Sequence, residues 1–262
     1  MTQRIKRTRD FELTLNVKQD AFVSPPRDSQ RNWLLSRAMN EFGRDLQALD
    51  QAASRFVPGG DAVGPVERTQ VVLSDDEIME DWQVPLMKAM ASAVTHNQGD
   101  VLEIGFGRGV ASTLIQQDSP RQHTIIECND AIVERYHDWR RNYPDADISL
   151  AHGLWQDVLD GLGSFDGIFF HTYPLNEDEF IDHISRSVTF AEHFFAAAAR
   201  HLKTGGVFSY LSFEIDSLSR SHQRALFQHF SRIELEMQTL SVPDDVRDSW
   251  WSDTMVLVKA IR

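Results

Sequence analysis

The sequence is short of four things, and each shortage removes a class of protein. It has one cysteine, Cys128, among 262 residues. That excludes an internal disulfide framework, fits a reducing compartment and leads to the expectation of a cytoplasmic protein. No run approaches the ~18 consecutive apolar residues of a membrane span, and the basic start MTQRIKRTRD is not followed by the apolar segment of a secretory signal. Positive charge is scarce: 26 Lys and Arg against 39 Asp and Glu give a net charge of −13. Nucleic-acid binding calls for the opposite balance, so neither nucleic acid nor membrane is an expected partner. The acidity suits solubility or attraction of a cationic substrate or partner. There is no G-x-S-x-G elbow and no P-loop. No metal set is expected either: His183 with His193, and His222 with His229, read as solvated surface pairs with no cysteine spaced to assist.

What is present is an ordinary globular composition, 42% hydrophobic and 25% charged, in a length that suits one large α/β domain with an N-terminal extension. Residues 1–70 form the extension. Its first 30 residues are polar and expected to be partly disordered, and residues 31–56 space Trp33, Leu34, Met39, Phe42, Leu46, Leu49 and Phe56 at helical intervals. PGGDAVGP, 58–65, is a linker. Residues 71–262 are the main domain. Ser74 with Glu77 resembles a capping box opening a helix over about 75–96, and Pro85 inside it should kink or split that helix.

From residue 100 short apolar runs alternate with amphipathic ones: 101–104, 123–128, 148–151, 165–170 and 207–213, with the clearest helix at 179–202. That alternation predicts a parallel sheet covered by helices on both faces. RIELEMQTL (232–240) and TMVLVKAI (254–261) are two strands separated only by a loop, VPDDVRDSWW, an antiparallel C-terminal hairpin. The expected fold is therefore a Rossmann-like, mostly parallel seven-stranded sheet of the class I S-adenosylmethionine-dependent methyltransferase type, with an N-terminal helical extension.

DVLEIGFGRG, 100–109, supports the cofactor expectation. In a doubly wound sheet the ligand lies at the carboxyl ends of the strands, where the first turn approaches it. Gly105, Gly107 and Gly109 are spaced G-x-G-x-G, one residue tighter than the dinucleotide fingerprint. A turn so bare lets backbone pass against the amino-acid part of S-adenosylmethionine. Glu127 closes the second strand, where a carboxylate can accept from both ribose hydroxyls. Leu154 and Trp155, after the third strand, stand where an adenine ring is sandwiched, with a core-packing tryptophan as the other open reading. Asp157 is open between the adenine amino group and a helix surface. Cys128 reads as a small buried residue rather than a nucleophile.

The motifs VLEIGFGRG, IIECND, GLWQDV, FDGIFFHTYPL and LKTGGVFSY, with IMEDWQVPLM upstream, together resemble the guanidinoacetate N-methyltransferase family over roughly residues 70–262. Fungal arginine δ-N-methyltransferases are more distant cousins on the same framework. The resemblance implies cofactor contacts at Met79 and Met87, at Glu103, Gly105, Phe106, Gly107, Gly109 and Val110, at Glu127, Cys128 and Asn129, at Gly153, Leu154 and Trp155, and at His171. For the two methionines, packing into the core remains an open alternative. It implies S-adenosyl-L-methionine as methyl donor and S-adenosyl-L-homocysteine as product.

The substrate side departs from the family. Two carboxylates should grip a guanidinium, but Gln83 stands in place of one and His171 of the other, while Glu214-Ile215 replaces a small hydroxyl-bearing pair. Guanidinoacetate itself is therefore not the expected substrate. His171, with an ordinary pKa of ~6.5, could take a proton from the methyl acceptor. Glu214 could anchor a cation, and Gln83 and Tyr173 could hydrogen-bond to substrate. The leading expectation is methyl transfer to a nitrogen of a small amine, guanidine or amino-acid-like metabolite, in specialised biosynthesis. An O-methyltransferase or a protein side-chain (arginine) methyltransferase is the alternative, and a non-catalytic cofactor-binding scaffold a further one. The apolar helix at 31–56 suggests a homodimer.

Overall fold

The computed structural model describes strands at residues 2–8 and 11–16, then residues 72–176, 187–243 and 251–262, with single positions at 179, 182, 183 and 246. Near the start, β1 (Thr2–Thr8) and β2 (Phe11–Asn16) pair antiparallel, so this stretch holds a hairpin where disorder was expected. The helix expected at 31–56 and the linker at 58–65 lie outside the described residues.

The upstream helix divides where Pro85 predicts. A short turn, α1 (Asp75–Ile78), and a 3-10 turn (Asp81–Gln83) precede α2 (Val84–Val94), in which Pro85 occupies the first turn. The missing proline N–H is harmless there, because first-turn N–H groups have no partner inside the helix. Then follow β3 (Asp100–Ile104), α3 (Val110–Gln117), β4 (Gln122–Glu127), α4 (Asp130–Arg140), β5 (Ile148–His152) and α5 (Trp155–Val158). Last come β6 (Phe165–Phe170), α6 (Phe195–His201), β7 (Leu202–Tyr210), α7 (Arg220–Phe227), β8 (Arg232–Thr239) and β9 (Thr254–Ile261).

These strands form one seven-stranded sheet in the order β5-β4-β3-β6-β7-β9-β8. The inner strands β3, β4 and β6 are nearly continuous apolar runs because helices cover both faces. Only β9 runs antiparallel to its neighbours, pairing Arg232 through Thr239 of β8 with Ile261 through Thr254. The fold expected from the alternation, a Rossmann-like methyltransferase sheet with a C-terminal hairpin, is the one observed. Two elements differ from expectation. Within 179–202 the described regular structure is a 3-10 turn over Phe190–Phe194 and the short helix α6, and β7 begins at Leu202, so LKTGG lies inside a strand span.

The sheet and helices close on an aromatic core in which Phe208 stacks on Tyr210 and Phe230, and Phe170 stacks on Phe194. On one face α2 is pressed hard against β6: a Cβ at Gly167 would lie 1.9 Å from the carbonyl oxygen of Val94. That contact fixes α2, and the turns before it, over the carboxyl end of the sheet. There the strand order reverses between β3 and β6, and a crevice opens outside their ends.

Candidate active site

Three chain segments meet at the reversal: the turn after β3, the residues after β4, and the chain leaving β6. Gly105, Gly107 and Gly109 all take positive φ, at 88°, 56° and 73°, a region closed to most other residues. Gly105 is also required by space, since a Cβ there would come within 2.9 Å of the His171 carbonyl oxygen.

Glu127 locks the turn to the end of β4. Its Oε2 accepts from Phe106 N at 2.9 Å and, weakly, from Gly107 N at 3.5 Å. Its Oε1 accepts from Cys128 N at 2.8 Å and Asn129 N at 2.9 Å. The side chain is thus pre-set without help from ligand. The long Gly107 contact leaves Oε2 acceptor capacity toward the cleft, the capacity a ribose hydroxyl needs.

Two clefts share this wall. The first is lined by Met79, Met87, Gly105, Phe106, Gly107, Val110, Glu127, Cys128, Asn129, His171 and Tyr173, with Arg108 from the turn and Ile78 from α1. The second continues past Glu127 and Cys128 to Gly153, Leu154, Trp155, Glu179, Phe190 and His193. Gly105, Thr172, Tyr173 and Leu175 belong to both. An elongated molecule with one end against the bare turn, its middle at Glu127 and a flat ring near Trp155 would span them. That succession fits S-adenosylmethionine.

His171 Nε2 is shut off from solvent and has no hydrogen-bond partner among the described residues, and burial pushes the imidazole pKa down to about 4. The ring is therefore neutral near pH 7, and it lies edge-on to Tyr173. Gln83 is buried with Oε1 unpartnered, and the indole Nε1 of Trp82 is unpartnered too. Gln83 closes the 3-10 turn before α2 and, like Glu214, lines neither cleft. Each such orphan costs about 1–3 kcal/mol, and His171, which lines the first cleft, is placed to gain a partner from a bound molecule.

Other expected site residues lie elsewhere. Glu214 lines neither cleft: its Oε1 accepts from Ser219 N at 3.0 Å and faces His222 Nδ1 at 3.3 Å. Glu103 lies behind the turn, fully buried, accepting from Ser112 Oγ at 2.6 Å and meeting His123 Nε2 at 2.9 Å. A strand-end acid with its own buried partners braces the sheet. Gly109 caps α3 rather than lining a cleft. Asp157 is exposed on α5. The Cys128 thiol is pushed up to about 12, by burial and then by the charge of Glu127, so no thiolate nucleophile exists at neutral pH.

Of the histidines expected on the surface, His229 is exposed, while His222, His193 and His183 are a correction. His222 is fully buried between Glu214 and the Tyr210 hydroxyl, 2.6 Å from its Nε2. His193 and His183 stack face to face, ring centroids 4.2 Å apart, and His193 lines the second cleft. Sequence spacing cannot find such a pair, since a separation of ten residues brings side chains into contact along neither a helix nor a strand. Among the described residues no group of three or more His, Cys, Asp or Glu could hold a metal ion, and no helix is long and apolar enough to cross a membrane.

The sequence profile described as guanidinoacetate N-methyltransferase matches residues 65–241. The chain belongs to the guanidinoacetate N-methyltransferase family. That family is one of S-adenosylmethionine-dependent methyltransferases, and the two clefts offer the length and lining that such a donor would need. Relatives named protein arginine N-methyltransferase 2 include one from Eremothecium gossypii, 33% identical over 37% of this chain and 26% of its own length. Another, from Yarrowia lipolytica, is 28% identical over 55% of this chain and 30% of its own length. The chain thus spans about a quarter to a third of these relatives. Among solved structures, the N-methyltransferase NodS from Bradyrhizobium japonicum, in complex with S-adenosyl-l-homocysteine, is 12% identical, covers 70% of this chain and 88% of its own, and has a TM-score of 0.48. A precorrin-6y C5,15-methyltransferase from Geobacter metallireducens is 17% identical over 67% of this chain and 87% of its own, with a TM-score of 0.48.

Proposed function

We propose that this family member methylates a nitrogen of a small neutral amine or amino-acid-like metabolite, and not guanidinoacetate. One observation carries the reading. The two positions at which the family resemblance calls for carboxylates hold uncharged side chains, Gln83 and His171, each with a buried polar atom left unpaired. A permanently charged guanidinium would enter with no anion to meet it. Among the described residues the one carboxylate lining the first cleft, Glu127, is already engaged by backbone N–H groups.

Bound S-adenosylmethionine supplies an electrophilic methyl group on a sulfonium. The protein's share is positioning and water exclusion. Met79, Met87 and Ile78 roof the first cleft and keep water out. His171, with a pKa near 4, is a weak proton sink at neutral pH. Its work on this reading is to hydrogen-bond the acceptor N–H and aim the nitrogen lone pair. The displaced proton then leaves through solvent after transfer. A reaction in a reducing cytoplasm, and a homodimer, accompany the proposal as expectations from the lone cysteine and the apolar 31–56 segment.

A second reading has its own support: every relative quoted above carries a name specifying arginine, so the acceptor would be an arginine side chain of a protein. Label transfer from radiolabelled S-adenosylmethionine to a panel of amines, guanidines, phenols and arginine peptides separates the two. Labelled amine with untouched guanidines is expected. Labelled arginine peptide, or guanidinoacetate, would replace the proposal.

A further inference from the structure

We propose that His193 is the specificity-determining residue for the donor's base, its Nε2 accepting a hydrogen bond from the exocyclic amine of adenine. The inference rests on the clefts being the S-adenosylmethionine site. If the turn holds the amino-acid part and Glu127 the ribose, the base can only lie farther along the second cleft, where Trp155, Phe190 and His193 stand.

The chemistry of His193 is set by its neighbours. Nδ1 contacts the carbonyl oxygen of Phe190. A carbonyl only accepts, so the proton sits on Nδ1 and Nε2 carries a bare lone pair. Among the described residues none hydrogen-bonds to Nε2. Burial first, then the nearby His183, push the His193 pKa down to about 4, so this tautomer persists at neutral pH. The ring cannot turn away, because it is wedged between His183 at 4.2 Å, Phe190 at 4.7 Å and Trp155 at 5.6 Å between centroids.

The other polar groups of this cleft are less suited to the task. Glu179 Oε2 accepts from Leu175 N at 2.9 Å while its Oε1 stays on a side chain whose rotamer no ring stack fixes, so Glu179→Gln serves as the control, and Gln156 is exposed and can present either a donor or an acceptor. A fixed acceptor prefers an amine to a carbonyl. Adenine should therefore be favoured over hypoxanthine, which carries oxygen at that position and would oppose one lone pair with another.

The test is calorimetric titration of the full chain with S-adenosylhomocysteine and with S-inosylhomocysteine, its deaminated analogue. The wild-type protein should bind the adenosyl compound about tenfold more tightly or better. His193→Phe should lose about tenfold for the adenosyl compound and little for the inosyl one, erasing the preference. His193→Gln, whose amide can present its oxygen, should recover part of it. Equal wild-type affinity for the two compounds overturns the proposal without recourse to any variant, as does a His193→Phe protein that keeps the preference. Failure of the wild-type protein to bind either compound would instead remove the cofactor assignment itself.

Discussion

His171 shows how much one residue's environment changes what its type suggests. At an ordinary ~6.5 an imidazole is a competent base, but enclosure lowers this one to about 4, and what remains is a neutral hydrogen-bonding group. His171→Ala should therefore reduce kcat by roughly 10²-fold while S-adenosylhomocysteine affinity, measured by calorimetry, changes little. Equal losses in both would assign the residue a purely structural role. A stability consequence follows from the same enclosure. His171 and His193 both have folded pKa values near 4, below the unfolded value of ~6.5. The unfolded chain takes up protons first as pH falls, so their contribution is complete above ~6.5 and is lost as pH drops through 4. Urea melts across that window should show stability declining, with a shallower decline for His171→Gln/His193→Gln. An unchanged slope in the double variant would refute the linkage.

The lid over the first cleft works at the scale of elements. α1 and the 3-10 turn after it are tied to the glycine turn by Arg108, whose guanidinium donates to Met79 O at 2.7 Å and pairs with Asp81 at 2.9 Å. Arg135 of α4 holds the same segment from the other side, donating to Asp75 at 2.5 Å and to Leu73 O at 3.1 Å. The exposed Asp81 partner adds little, but the bond to a backbone carbonyl fixes Met79 in the roof. Arg108→Ala should release the roof at a cost of about 1–1.5 kcal/mol, read as S-adenosylhomocysteine dissociating about tenfold faster in stopped-flow. A variant with wild-type dissociation would show that the tie does not restrain the lid.

For the whole molecule, the donor site is assembled from the ends of separate strands, so ligand should stabilise the domain as a unit. At 100 times its Kd, S-adenosylhomocysteine should add ~2.7 kcal/mol and raise Tm by roughly 5–10 °C. No shift at saturating ligand would contradict the assignment of the clefts. Association is separate: light scattering after size exclusion should give about twice the 30.0 kDa chain mass if the 31–56 segment dimerises, and a single-chain mass at all concentrations removes the dimer.

The alternation of strands and helices, the C-terminal hairpin, the glycine turn and the place of Glu127 at the end of β4 were legible in the chain, because short apolar runs and positive-φ glycines are local demands that local residues must meet. Even the split at Pro85 belongs to that set, a missing N–H being a property of one residue. Only the tertiary structure could turn Glu214 toward Ser219 and His222, enclose His171 until its pKa fell to about 4, and bring His183 onto His193 beside a cleft. Those outcomes depend on which distant side chains surround a group, and desolvation and partner choice are properties of the packed neighbourhood that no spacing along the chain encodes.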